Sequence, residues 1–237
     1  MNLKEQANAL KDKIPSVYEA GKKAESDDFW GRIAEVSNLY YAFAGYVWSH
    51  IAKDKLKPIR DIKPTNANGI FAYWNSGKRI NFKEHFDNLG KKLDFSNCTN
   101  IGAAFNQSTI ITGLGIIDAR KTTSLQATFY SMSNLESIEK FMPPTSDSVT
   151  YGNTFNGCSA LKDIVIEGEI LNTVTFQNSS KLTKDSIISI VSSLGEGVTG
   201  KTLTLSNTAV TNAFGSTDSD EWKALRATKP NWTISFA

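Results

Sequence analysis

The feature that most constrains the fold is a phenylalanine that returns in one setting. Thr128-Phe129, Thr154-Phe155 and Thr175-Phe176 are each followed by Ser at the fourth position (Ser133, Ser159, Ser180) and Leu at the sixth (Leu135, Leu161, Leu182). Ala104-Phe105, with Thr109 and Ile111 at the same offsets, is a looser copy. Successive phenylalanines lie 24, 26 and 21 residues apart, a period that predicts stacked supersecondary units, none able to bury its apolar face alone. The expected architecture is a solenoid, which presents surfaces rather than enclosing an active site.

Aligning the copies on phenylalanine extends the match. Asp94-Phe95-Ser96-Asn97-Cys98-Thr99-Asn100-Ile101 precedes Asp118-Ala119-Arg120-Lys121-Thr122-Thr123-Ser124-Leu125 by 24 residues, with Asp, Thr and the last aliphatic in register. Each copy then offers a short strand, 135–138 and 161–166, so Leu and Ile should stack as ladders while Phe fills the layer between coils. Phe155-Asn156-Gly157-Cys158-Ser159-Ala160-Leu161 closely resembles the unit of BspA-like leucine-rich repeats of bacterial surface proteins, and the resemblance runs over 93–194.

Outside that core the pattern stretches. Ala42-Phe43, Ile70-Phe71 and Ala213-Phe214 read as degenerate units, as terminal repeats must be to cap an exposed core. Thr183 to Ser186 offers an N-cap for a helix through Ile187, Ile188, Ile190, Val191 and Leu194, with Gly195 as the stop. Thr202 to Leu205 reads as a strand, 217–228 as a helix whose Asp218, Asp220 and Glu221 favour its start and whose end is set by Pro230, and Trp232 to Phe236 as a closing strand. The expected class is α+β: a leucine-rich-repeat solenoid of short stacked strands with a helical N-terminal segment (1–37), an N-terminal cap with degenerate repeats (38–92), a repeat core (93–194) and an αβ C-terminal cap (195–237).

The N-terminal segment is rich in Lys, Glu, Asp and Ala. Leu3, Ala7, Leu10, Ile14 and Val17 fall at alternating spacings of 4 and 3, a stripe of about two heptads interrupted by Pro15. Two readings stay open: an amphipathic helix packed on its own domain, or a docking or oligomerisation helix presenting Leu3, Leu10, Ile14 and Val17. The aromatic stretch Tyr40, Tyr41, Phe43, Tyr46, Trp48 reads as the first buried layer, with a sugar- or protein-gripping surface as the alternative.

Charge and motifs exclude several function classes. A net charge of +2, with no basic run interleaved with aromatics, gives no reason to expect nucleic acid. Nothing approaches about 18 consecutive apolar residues, so no membrane insertion is expected, and the opening Met-Asn-Leu-Lys-Glu-Gln lacks a secretory h-region. Cys98 and Cys158 occupy different places in the unit and have no CxxC partner, so both read as buried small hydrophobes. His50 and His85 are isolated, leaving no metal site, no triad and no cofactor. Gly195-Glu196-Gly197-Val198-Thr199-Gly200-Lys201-Thr202 fits the phosphate-loop pattern, but that loop needs a strand before it and a helix after it. Here the order is reversed, so the stretch reads as a turn. The four N-x-[ST] tripeptides at Asn97, Asn106, Asn178 and Asn231 read as turn formers.

A second resemblance concerns the setting. Lys22-Lys23-Ala24-Glu25-Ser26-Asp27-Asp28-Phe29-Trp30, Tyr41-Ala42-Phe43-Ala44-Gly45, Asp61-Ile62-Lys63-Pro64 and Glu221-Trp222-Lys223-Ala224-Leu225 are similar to leucine-rich-repeat proteins encoded by phages and prophages of gut bacteria. This resemblance implies a non-enzymatic, virion-associated structural or host-adhesion protein, assembled in the host cytoplasm and released by lysis. Its partners would be a virion component or a host surface protein or glycan, and it would be able to form homo-oligomers. The alternative is a bacterial protein-interaction module of the same repeat type without a virion. An enzyme acting on cell-wall glycan would need paired carboxylates, for which Asp94 and Asp118, about 5 Å apart if one strand spacing separates them, are the candidates. The expected partner-binding face is a nearly flat, mixed-charge array of Asp94, Asp118, Glu136 and Lys162, with Asp163 beside them.

Overall fold

The computed structural model describes Leu39, Ala44 and residues 61–237. Among these residues the chain forms two parallel sheets and four helices. The first sheet has the order β1 (Ile80–Asn81), β2 (Ile111–Asp118), β3 (Ser137–Met142), β4 (Asp163–Ile166). The second has the order β5 (Val174–Phe176), β6 (Lys201–Leu205), β7 (Trp232–Phe236). The helices are α1 (Phe82–Asn88), α2 (Lys184–Ser192), α3 (Asn207–Phe214) and α4 (Asp220–Ala227).

Parallel neighbours require a long return path, and here the phenylalanine segments supply it. Their rings stack face to face: Phe71 on Phe105 with centroids 5.6 Å apart, Phe105 on Phe129 at 5.9 Å, Phe129 on Phe155 at 5.3 Å and Phe155 on Phe176 at 4.4 Å. The backbone repeats with them. Three of these phenylalanines donate their N–H to the carbonyl of the residue before the next phenylalanine: Phe71 to Ala104, Phe105 to Thr128, Phe129 to Thr154. Two residues further on, Tyr73, Gln107 and Ser131 donate in the same way to Asn106, Tyr130 and Asn156.

The small polar residues around each phenylalanine hold the layers in register. Thr128 Oγ1 donates to the carbonyls of Leu125 (2.9 Å) and Ile101 (3.1 Å), and Thr154 Oγ1 donates to Leu125 (2.8 Å), one layer back. Three residues after phenylalanine, Ser108 Oγ reaches Phe71 O and Cys158 Sγ reaches Phe129 O. These groups are buried, so each unmade bond would cost the desolvation of a polar atom. The tight turns put Tyr73, Ala103, Gln107, Ala127 and Ser131 at φ between 52° and 65°, the left-handed region. Gly157 occupies the position equivalent to Ser131 at φ 82°, and a Cβ there would meet Ser131 Cα at 2.9 Å.

The strands start later than the leucine positions predict. Leu135 and Leu161 use their N–H groups to close the preceding turn onto Met132 and Cys158, so pairing begins at Ser137 and Asp163. Strand faces also depart from simple alternation. In β2, Leu114 and Ile117 are buried with Gly115 and Ile116 between them facing outward, and β3 repeats this with Ile138, Glu139, Lys140 and Phe141. β4 has only Val165 between Ile164 and Ile166, and the register shifts there.

The first sheet ends because a helix closes its edge. Thr183 caps α2 by accepting from the Ser186 N–H, and Ser186 and Ser189, on one helix face, accept from the N–H groups of Ile164 and Ile166 at 2.9 Å each. α2 stops at Ser192, before the expected Gly195. The described C-terminal region then builds the second sheet. Ser219 caps α4, and Trp222 is fully buried against Phe214 and Phe236. α1 and α3 are not foreshadowed by the repeat pattern. No helix among the described residues is long and apolar enough to cross a membrane.

Candidate functional site

α1 interrupts the layer that precedes β2. Asn81 pairs with Gly113 and then caps α1, its Oδ1 accepting from the Glu84 N–H while its Nδ2 donates to Glu84 Oε1 at 3.0 Å. A side chain at Gly113 would place Cβ 2.6 Å from Asn81 Oδ1 and push the Asn81 side chain out of its capping position. Beyond Gly113, β2 has a strand partner on the β3 side alone.

The helix overhangs β2 and leaves a cleft of about 500 Å³ between α1, the 91–96 turn and the edge of β2. Phe82, Phe86, Phe95, Leu114 and Ile117 give it apolar walls, and Ile116 stands 49% exposed at its mouth. Charged groups ring this apolar interior. Lys83 Nζ lies 2.6 Å from Asp87 and 3.8 Å from Glu139, and the Asp87 hydrogen bond, followed by the Glu139 charge, raises its pKa. Asp118 receives Arg120 at both oxygens (3.0 and 2.7 Å), and this hydrogen bonding holds its carboxyl below the usual range against the opposing effect of burial. Lys91 and Lys92 complete the rim. The size and the few convergent polar groups suit a small ligand or a short extended segment.

Of the expected site residues, Asp94 and Asp118 line this cleft together. Their backbones repeat: Asp94 Oδ1 accepts from the Ser96 N–H and Asp118 Oδ1 from the Arg120 N–H, so each closes the same two-residue loop. Glu136 and Lys162 do not join them. They form their own ion pair at 3.3 Å at the other end of the strands. Asp118 aligns with Met142, six residues past Glu136, a displacement of about 20 Å at ~3.3 Å per residue. The single flat array is therefore corrected to two separate clusters, and Asp118 is buried rather than outward-facing. Asp163 accepts from the Thr183 hydroxyl. Leu3, Leu10, Ile14 and Val17 lie outside the described residues.

Lys83, Lys91, Lys92 and Glu139 were not singled out from the sequence. The available signal was the capping pattern Asn81-Phe82-Lys83-Glu84, which announces a helix inside the cap region. The phosphate-loop look-alike runs from the end of α2 into β6, and Lys201 Nζ donates to Asn172 Oδ1 at 3.2 Å. Both cysteines are buried and free, and burial pushes the Cys158 thiol up to about 12. His85 packs edge-on against Phe86. Among the described residues no three His, Cys, Asp or Glu side chains cluster as a metal site. Comparison with protein-family models, with curated proteins and with solved structures returns no match.

Proposed function

We propose that the chain is a leucine-rich-repeat solenoid of the BspA-like type, acting as a non-enzymatic binding module. The observation that carries this reading is the five-ring phenylalanine stack with its repeated N–H to carbonyl bond, one layer onto the next. Layers tied only to their neighbours build long surfaces, and the α1–β2 cleft supplies a concave seat on such a surface. The setting we propose, a virion-associated structural or host-adhesion protein that engages a protein or glycan, rests on the sequence resemblance to phage-encoded repeat proteins.

Two measurements test the parts separately. Antibody against the purified protein, applied to banded particles from an induced lysate of the source bacterium, should detect it in the particle fraction; recovery in the soluble fraction alone would refute the virion setting. Binding of the full chain to isolated host envelope should fall when Lys91 and Lys92 are both replaced by Ala. Equal binding by the double variant would remove the cleft from the function.

A further inference from the structure

The C-terminal end of the fold carries a surface that the cleft does not involve. β7 is hydrogen-bonded to β6 along one side, and among the described residues its other side has no strand neighbour. The first sheet has Ser186 and Ser189 across the edge of β4, whereas among the described residues none bonds in this way across the free edge of β7. An open edge offers alternating N–H and C=O groups that a further strand can take up.

Beside that edge, α4 and the turn at 229–230 frame a cleft of about 390 Å³. Its charged lining is wholly cationic: Lys223, Arg226 and Lys229, set beside Trp232 and Ile234. Lys223 and Arg226 are exposed, and their side chains have no ion-pair or hydrogen-bond partner among the described residues. Lys229 is buried and pairs with Glu196 at 3.6 Å, a carboxylate that is 82% exposed. Three like charges at an open strand edge fit an acidic segment in extended conformation.

The chain contains such a segment. Glu25-Ser26-Asp27-Asp28-Phe29-Trp30 sets three carboxylates in four residues ahead of two aromatics. The other run of that density, Asp218-Ser219-Asp220-Glu221, is already committed, since Ser219 caps α4 and Glu221 pairs with Lys184. In a strand Glu25, Asp27 and Phe29 share one face, which matches cations followed by the apolar Ile234. Reach favours a second copy, because laying all six residues on β7 of the same chain would need the stretch from Trp30 to Leu39 to be fully extended or longer. Trp30 is nine residues from Leu39, a span of at most about 32 Å. Leu39 donates to Asn66, at the opposite end of the stack from β7, about 34 Å away at ~4.8 Å per layer.

We propose that the β7 edge and its cationic shelf receive residues 25–30 of a second copy, laid down as an added strand. Each copy then offers one segment and one shelf, so the contact is head-to-tail and propagates into a ring or a filament. This inference is independent of the virion setting and of the α1–β2 cleft.

Light scattering on the full chain over a range of concentrations and at low salt tests it by charge exchange. The wild type should gain mass with concentration, and less so as salt rises. Lys223→Glu with Arg226→Glu should weaken association by about tenfold or more, as should Glu25→Lys with Asp27→Lys and Asp28→Lys. All five changes together should restore it. The two substituted shelf residues, Lys223 and Arg226, are exposed with side chains unpaired among the described residues, and an unchanged circular-dichroism melt confirms that each variant is folded. A wild type that is monomeric at every concentration overturns the proposal. So does association that persists in both reversed variants, which would place the contact elsewhere on the chain, and so does failure of the variant carrying all five changes to recover.

Discussion

Phe129→Ala removes the middle ring of the stack and should be among the most damaging single changes in the described fold. Phe129 is fully buried, with Phe105 stacked at 5.9 Å on one side, Phe155 at 5.3 Å on the other and Phe141 edge-on at 6.1 Å. Truncation of a buried Phe costs about 3–5 kcal/mol, and three lost ring contacts place this site near 5 kcal/mol. That is comparable to the whole stability of a typical domain, roughly 5–15 kcal/mol. Phe129→Leu removes about three carbons and should cost about 2.5 kcal/mol at ~0.8 kcal/mol per methylene. Phe176→Ala, whose ring has one stacked neighbour, should cost nearer 3 kcal/mol. Urea unfolding followed by far-ultraviolet circular dichroism measures all three. Because each layer leans on the next, Phe129→Ala should also broaden the transition. An unchanged midpoint for Phe129→Ala, or a larger loss for Phe176→Ala, would refute the stacked-ring account.

Other outcomes follow from single positions. Gly157→Ala, which meets the Ser131 backbone at a left-handed φ, should cost about 3 kcal/mol, whereas Ala127→Gly at φ 55° should be neutral or stabilising by up to about 1 kcal/mol; thermal melts that rank them the other way would contradict the turn geometry. The Asp118 carboxyl has a lowered pKa in the folded state, so its stabilising effect is full above the unfolded value of about 3.9 and is lost as pH falls through the lower folded value. Arg120→Ala should raise the Asp118 pKa in an NMR titration; no movement would show that Arg120 does not hold it. Cys98 and Cys158 are buried with raised thiol pKa values, so neither should react with iodoacetamide at neutral pH until urea unfolds the chain, and rapid native labelling would show that their layers open.

Much of the repeat was legible because its cause is local. Thr-Phe-x-x-x-Ser-x-Leu is a motif in which phenylalanine fills a layer, threonine bridges two, and leucine closes the turn onto the residue three before it. The Thr183 cap and the strand 232–236 were visible for the same reason, since capping chemistry and an aromatic, β-branched run act over a few residues. The candidate site was only half legible. Asp94 and Asp118 announce themselves by register, but the cleft they line exists because α1 displaces strand, and period alone carries no trace of an insertion.

Outward alternation failed as a guide to the surface because β2 and β3 each place two consecutive residues outside between buried ones. A period of two assumed at each strand start therefore loses its phase, and the length of β2 then separates Glu136 and Lys162 from Asp118 by most of a strand. Spacing along the chain thus determined which residues stack and which turns they close, since these depend on neighbours within one unit. The tertiary structure alone decided which charges meet and which sheet edge is covered among the described residues, because each of those depends on how far one layer extends over the next.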